Sequence, residues 1–256
     1  MFIDFLDIPM RKLKVFTLFL LIVLFSFLPG TAMADSQSSI ELNEQGVAAV
    51  TGQNFEAAER YFQRAVAADE GNITAVYNLA GMYLTNKKHE EAVALLKEYT
   101  RRVPEDAGLF VRLGDAYFAS RNLPDAVELY EQGAKLDDTF PGVHEKLGTI
   151  YALMQRLDEA EAALLRAAQN DPQNGNVLAN LSSVFLGNEK PQKAISTARR
   201  ALQIEPTSDV YVTLGTAYEI LEDFENSLIS FRRAVDLGDD RPELKQKIKA
   251  LEEVVS

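Results

Sequence analysis

The sequence predicts an all-α solenoid of six stacked helix-turn-helix units with a C-terminal capping helix. Three observations carry this. The phrase Leu-Gly-x-x-Tyr stands at residues 113–117, 147–151 and 214–218, with steps of 34 and 67 residues, the latter being 34 plus 33. A second phrase follows in the same register: Ala, an apolar residue four on, and a usually small residue three further. Between them, apolar residues recur at the spacing of one helix face. Self-similarity with a period of this size is the signature of a solenoid.

Residues 1–34 come first and read as an address rather than as part of the fold. Arg11, Lys12 and Lys14 precede an apolar run over residues 15–28 that only Thr17 and Ser26 interrupt. Pro29 and Gly30 are expected to break the helix there, and Ala32-Met33-Ala34 supplies the small residues a signal peptidase reads. The expected cut falls between Ala34 and Asp35. Met10 is the favoured start of translation, since the nine residues before it add two acids and no basic residue. The alternative is an uncleaved membrane anchor, but fourteen helical residues span only about 21 Å against a bilayer core of about 30 Å. Either way the bulk of the chain is expected across a membrane, in the periplasm of a Gram-negative-type bacterium or secreted.

The units follow, at 39–72, 73–106, 107–140, 141–174, 175–207 and 208–240. The second phrase reads Ala58-Phe62-Ala65, Ala92-Leu96-Tyr99, Ala126-Tyr130-Gly133, Ala160-Leu164-Ala167, Ala194-Ala198-Ala201 and Ser227-Phe231-Ala234. In the second unit Val76, Leu79, Ala80 and Tyr83 form one stripe and Ala92, Leu95 and Leu96 another, which predicts two amphipathic helices. The segments between such stripes are polar. Pro124 and Pro191 fall at second-helix starts, where a missing N–H costs little, and Pro104, Pro172 and Pro206 follow second helices and stop them. Residues 241–256 predict a last helix, with Leu244, Ile248 and Leu251 on one face, covering the sixth unit.

These residues resemble the tetratricopeptide repeat (TPR) family, over about residues 39–240. The pattern of a large apolar residue, Leu-Gly/Ala, Tyr, Ala, an aromatic, Ala and Pro is fullest at Val76-Leu79-Ala80-Tyr83-Ala92-Leu96-Pro104. The first unit departs most: Gln45 replaces Leu and Ala49 replaces Tyr, so its first helix is expected either to be frayed or to begin a cap. Ser182 replaces Gly in the fifth unit, and Glu70 and Asp138 replace the terminal Pro. With the leading segment, the resemblance is to an exported bacterial type. It implies a right-handed superhelix whose first helices line a concave groove. Gly114, Gly148 and Gly215 are expected to admit the neighbouring helix, Leu113, Leu147 and Leu214 to fill the pair, and Tyr83, Tyr117, Tyr151 and Tyr218 to lie between helices.

The resemblance also implies which residues face the groove. They are Val47 and Val50; Tyr77, Asn78, Gly81 and Leu84; Val111, Arg112, Asp115 and Phe118; Glu145, Lys146, Thr149 and Leu153; then Asn180, Ser183 and Leu186, and Thr213, Thr216 and Ile220. Such a lining suits a peptide or helix of a protein partner, with apolar anchors for affinity and amides for its backbone. Some family members clamp a terminal carboxylate with Lys and Asn residues and an Arg. Here Asn78 and Arg112 match, but Asn43, Val47 and Gly108 do not, so that activity is not carried over. For Asn78 and Arg112 ordinary inter-helix bonding is as good a reading as ligand contact.

Composition excludes much else. The net charge of −12 becomes −13 without residues 1–34, whose three cations outweigh two acids by one. Phosphate backbones and anionic lipids would be repelled, so no nucleic-acid partner is expected, and membrane contact only through the leading segment. Zero Cys excludes disulfides, thiolate zinc, a Cys nucleophile and a lipid-modified cysteine. His89 falls in a turn and His144 at a packing position, with no metal pattern between them. No phosphate loop, His-Glu-x-x-His or Gly-x-Ser-x-Gly is present. The expectation is a non-enzymatic adaptor or scaffold without cofactor or metal. The alternative is a homo-oligomer stacking through units one and six, which the capping helix opposes at one end.

Overall fold

The structure is a computed structural model that describes residues 29–256. The leading-segment reading therefore falls mostly outside the described residues. Among those described there are thirteen helices and no strand. They are α1 (Pro29–Thr51), α2 (Phe55–Ala68), α3 (Ile73–Thr85), α4 (His89–Arg102), α5 (Ala107–Ala119), α6 (Leu123–Leu136), α7 (Val143–Leu153), α8 (Leu157–Asn170), α9 (Gly175–Gly187), α10 (Pro191–Ile204), α11 (Ser208–Ile220), α12 (Phe224–Asp236) and α13 (Pro242–Val255). The chain divides between Leu95 and Leu96 into two compact units. No described helix is long and apolar enough to cross a membrane.

In the first compact unit, Pro29 and Gly30 both lie within α1, which continues across the Ala34–Asp35 bond to Thr51; the expected break at the end of the apolar run falls outside the described residues. A proline in a first turn forfeits no intrahelical hydrogen bond, so it can stand there. α1 corrects the expectation of a frayed first helix. Ser39, Leu42 and Gly46 are buried, and the Ser39 hydroxyl donates to the Ala65 carbonyl at 2.7 Å. Asn72 donates to Ser39 Oγ at 2.9 Å and caps α3 by accepting from the Ala75 N–H at 3.1 Å. One buried serine thus joins α1, α2 and the start of α3. Gly46 keeps the glycine of the repeat, and a Cβ on it would lie 2.4 Å from the Phe62 ring. Phe62, Leu79 and Met82 form the adjoining core.

The second compact unit contains four complete helix pairs: α5 with α6, α7 with α8, α9 with α10, and α11 with α12. Its largest core cluster takes Val127, Tyr130, Leu147, Ile150, Leu164, Leu181 and Phe185 from successive pairs, so no pair buries its apolar face alone. The glycines act as expected: a Cβ would lie 2.6 Å from the Tyr130 ring at Gly114 and 2.7 Å from the Phe231 ring at Gly215. At the fifth pair Ser182 replaces the glycine and Ala198 replaces the bulky residue opposite, so the two departures compensate in volume. Leu244 and Leu251 of α13 are buried with Phe231, Leu228 and Ala234, and Ile248 packs against them.

The turn between first and second helix has one geometry throughout. Gln53, Lys87, Arg121, Gln155, Glu189 and Glu222 all have φ between 56° and 60°. The N–H of the following residue donates to the carbonyl of Ala49, Tyr83, Tyr117, Tyr151, Phe185 or Tyr218, at 2.7 to 3.0 Å. This is the Schellman closure, and it uses the backbone of the repeat's tyrosine position. Because a carbonyl does the work, Ala49 and Phe185 close the turn as well as tyrosine.

Two turns are further tied by a glutamate, buried at Glu59 and partly buried at Glu161. Glu59 accepts from Lys88 at 2.6 Å and from Asn86 at 2.7 Å. Glu161 accepts from Lys190 at 2.7 and 2.9 Å and from Asn188 at 2.7 Å. The two sets are 102 residues apart, three periods of 34. In each, the glutamate of a second helix reaches the next pair's turn.

Candidate functional site

The expected groove residues divide between the two compact units. In the first, α3 presents Tyr77, Asn78, Gly81 and Leu84, all partly exposed. Asn78 Nδ2 donates to Asn43 Oδ1 at 2.8 Å, so its amide joins α3 to α1. Val47 and Val50 are exposed on α1.

In the second compact unit, α5, α7 and α9 supply the positions. Phe118 on α5 and Leu153 on α7 are 38% and 58% exposed, large for apolar side chains. Asn180 and Ser183 are exposed on α9, while Arg112, Asp115, Glu145, Lys146 and Thr149 are partly exposed. Val111 is a correction: it is only 3% exposed. Gly133 opposite lacks a side chain, and Val111 fills that space, its Cγ2 lying 2.7 Å from where a Cβ would stand.

Two pockets bring most of these residues together. The first, about 410 Å³, lies between α5 and α7 and is lined by Asp115 and Phe118, by Gly142, Glu145, Lys146 and Thr149, and by Tyr130 of α6. The second, about 390 Å³, lies between α7 and α9. Thr149, Ala152 and Leu153 line it from α7, Asn180, Ser183 and Val184 from α9, and Gln155 and Leu157 line it as well. Thr149 belongs to both, so the pockets adjoin.

Asp115 organises the first pocket. Its Oδ1 accepts from the Tyr130 hydroxyl at 2.8 Å and from Lys146 Nζ at 2.7 Å. Burial, and then the Asp115 charge, push the Tyr130 hydroxyl well above the ordinary tyrosine range, so it stays a donor. Lys146 Nζ also stands 5.9 Å from the Tyr130 ring centroid, on its face. Glu145 Oε2 accepts one long bond from Asn174, at 3.3 Å. At the next pair the Tyr151 hydroxyl donates to Glu131; burial and that carboxylate raise it to about 12.

Tyr130 is the lining residue the sequence reading assigned to the core alone. Its ring crosses the space left by Gly114, which carries its hydroxyl to Asp115, the next residue along α5. The Gly114-Asp115 step facing an aromatic was the available signal. The histidines are not among the residues that line the two pockets. His144 Nε2 bonds to Asp138 Oδ1 at 2.9 Å, and burial lowers its pKa. His89 Nδ1 is buried with no hydrogen-bond partner among the described residues.

The tetratricopeptide repeat family profile matches residues 43–107 and 111–175, and a second tetratricopeptide repeat profile matches 208–237. The chain belongs to the tetratricopeptide repeat family. No curated protein matches it at the level of sequence. Among solved structures it is similar to YrrB, a TPR protein with an unusual peptide-binding site, at a TM-score of 0.66 and 17% identity over 73% of this chain and 97% of that one. Similarity to pilF of Pseudomonas aeruginosa gives a TM-score of 0.72 at 12% identity, covering 86% and 99% of the two chains. For MamA the TM-score is 0.56 and the identity 21%, over 62% and 94%. At such identities these likenesses speak for the fold alone.

Proposed function

We propose that the protein is a non-enzymatic scaffold that holds a segment of a partner protein against its first helices. The observation that carries this is the pair of adjoining pockets between α5, α7 and α9, where Phe118 and Leu153 stay exposed beside amides and hydroxyls. Exposed apolar anchors ringed by polar groups are what a peptide-binding surface needs. The peptide-binding site of YrrB, a TPR protein of the same fold, supports the reading. Capture of partners from the native source by immobilised protein tests it. A Phe118→Ala, Leu153→Ala double variant is expected to lose them, and unchanged capture would overturn the groove.

The scaffold is proposed to act beyond a membrane after cleavage at Ala34–Asp35. Cleavage there would remove the first six residues of α1 but leave Ser39, Leu42 and Gly46, which pack against the rest. It would also place Asp35 at the new helix start, where a negative charge is favourable. Mass spectrometry of the processed protein is expected to find Asp35 first; an intact leading segment in a membrane fraction would favour the anchor.

A further inference from the structure

We propose that the two pockets form a composite subsite for an arginine followed, three positions along in either direction, by an aliphatic residue in an extended segment of the partner. The proposal rests on the groove reading above and adds the chemistry of its occupant.

Charge selects a cation for the first pocket. Asp115 and Glu145 line it against Lys146 alone, which leaves one negative charge. Tyr130 and Lys146 both engage Oδ1 of Asp115, and Asn174 engages only Oε2 of Glu145, at 3.3 Å. Among the described residues, one oxygen of each carboxylate is thus left to accept. An anion would meet this excess within a chain of net charge −12.

Shape selects arginine over lysine. The exposed Phe118 ring and the Tyr130 ring share the pocket with the carboxylates. A guanidinium is flat, weakly hydrated and rich in donors, so it can lie on a ring face while bonding two separate carboxylates. An ammonium is compact and strongly hydrated, and Lys146 already takes that role.

The second pocket contains no charged side chain. Leu153, Leu157 and Val184 give it an aliphatic lining, and Asn180 and Gln155 offer amides to a passing backbone. The pockets lie on either side of α7, and a helix with its side chains is about 10 Å across. A polyproline-II segment repeats the same face every three residues, about 9 Å along its axis. Arg-x-x-aliphatic therefore fits both pockets at once.

The test is selection of a display library of random ten-residue peptides on the full chain. Selected peptides are expected to carry Arg three positions from Leu, Ile, Val or Met. Replacing that arginine by citrulline keeps the shape and removes the charge, and leaves the protein untouched; it is expected to weaken binding about tenfold. Glu145→Gln should shrink that difference without changing the fold. Equal binding of the citrulline peptide overturns the arginine site. Peptides without a basic residue that still need Phe118 and Leu153 would overturn it too, but leave the groove standing. Peptides indifferent to Phe118→Ala and Leu153→Asp, or no binder at all, would remove both.

Discussion

Leu164 occupies the space that a side chain on Gly148 would fill: a Cβ at Gly148 would lie 2.4 Å from Leu164 Cγ. The same relation joins Gly46 to Phe62, Gly114 to Tyr130 and Gly215 to Phe231. Leu164 is fully buried, so it cannot swing away. Gly148→Ala should cost about 1–3 kcal/mol through overpacking. Leu164→Ala alone should cost about 2–5 kcal/mol through a cavity. Combined, they should cost less than their sum, because each relieves the other. Denaturant midpoints of the two single variants and the double variant check this, and strict additivity would mean the two residues do not share that space.

The turns predict a gain in stability. Gln155 holds φ at 59° in a region that costs a side-chain-bearing residue about 1–2 kcal/mol. A glycine at that position would remove the strain, while the looser unfolded chain offsets about 0.4–1 kcal/mol of the benefit. Gln155→Gly should therefore stabilise by about 0.5–1 kcal/mol, and Gln155→Val, β-branched at the same φ, should destabilise. Thermal unfolding of both variants reads the signs.

Glu161 should make stability depend on pH. Burial alone would raise its pKa, but the hydrogen bonds from Lys190 and Asn188 and the Lys190 charge outweigh burial and hold it below 4.5. A carboxylate depressed on folding adds stability that is whole above its unfolded pKa and fades as pH falls through the lower folded one. Glu59 is depressed in the same way by Lys88 and Asn86. Glu161→Gln should cost about 1 kcal/mol at pH 7, and the gap from the parent should narrow below pH about 4. Denaturant titrations at both pH values measure it; a gap independent of pH would remove Glu161 from the account.

The helix pairs were legible because the core repeats: Leu147, Gly148, Tyr151 and Leu164 recur in type and spacing, and packing of identical units leaves little choice. What repeats through backbone geometry was not. Residues at the positive-φ position are Gln, Lys, Arg and Glu, not glycine, so the polar segments marked where the turns fall but not their left-handed closure. The glutamate clamps were hidden differently. They occur in only two units, and the signal lay in the three-period recurrence of Glu, Asn and Lys at 59, 86, 88 and 161, 188, 190. Site positions transferred by register placed Phe118, Thr149, Leu153, Asn180 and Ser183 at the pockets. Register failed at Val111, where a glycine on the facing helix drew the side chain inward.

The most direct measurement places a photo-crosslinking amino acid at Leu153 on first helix α7, or at Leu165 on second helix α8. Both side chains are exposed, at 58% and 39%, so either substitution should fold. Irradiation with the partner bound should trap it from position 153 and not from 165. Trapping from 165 alone would contradict binding along the first helices.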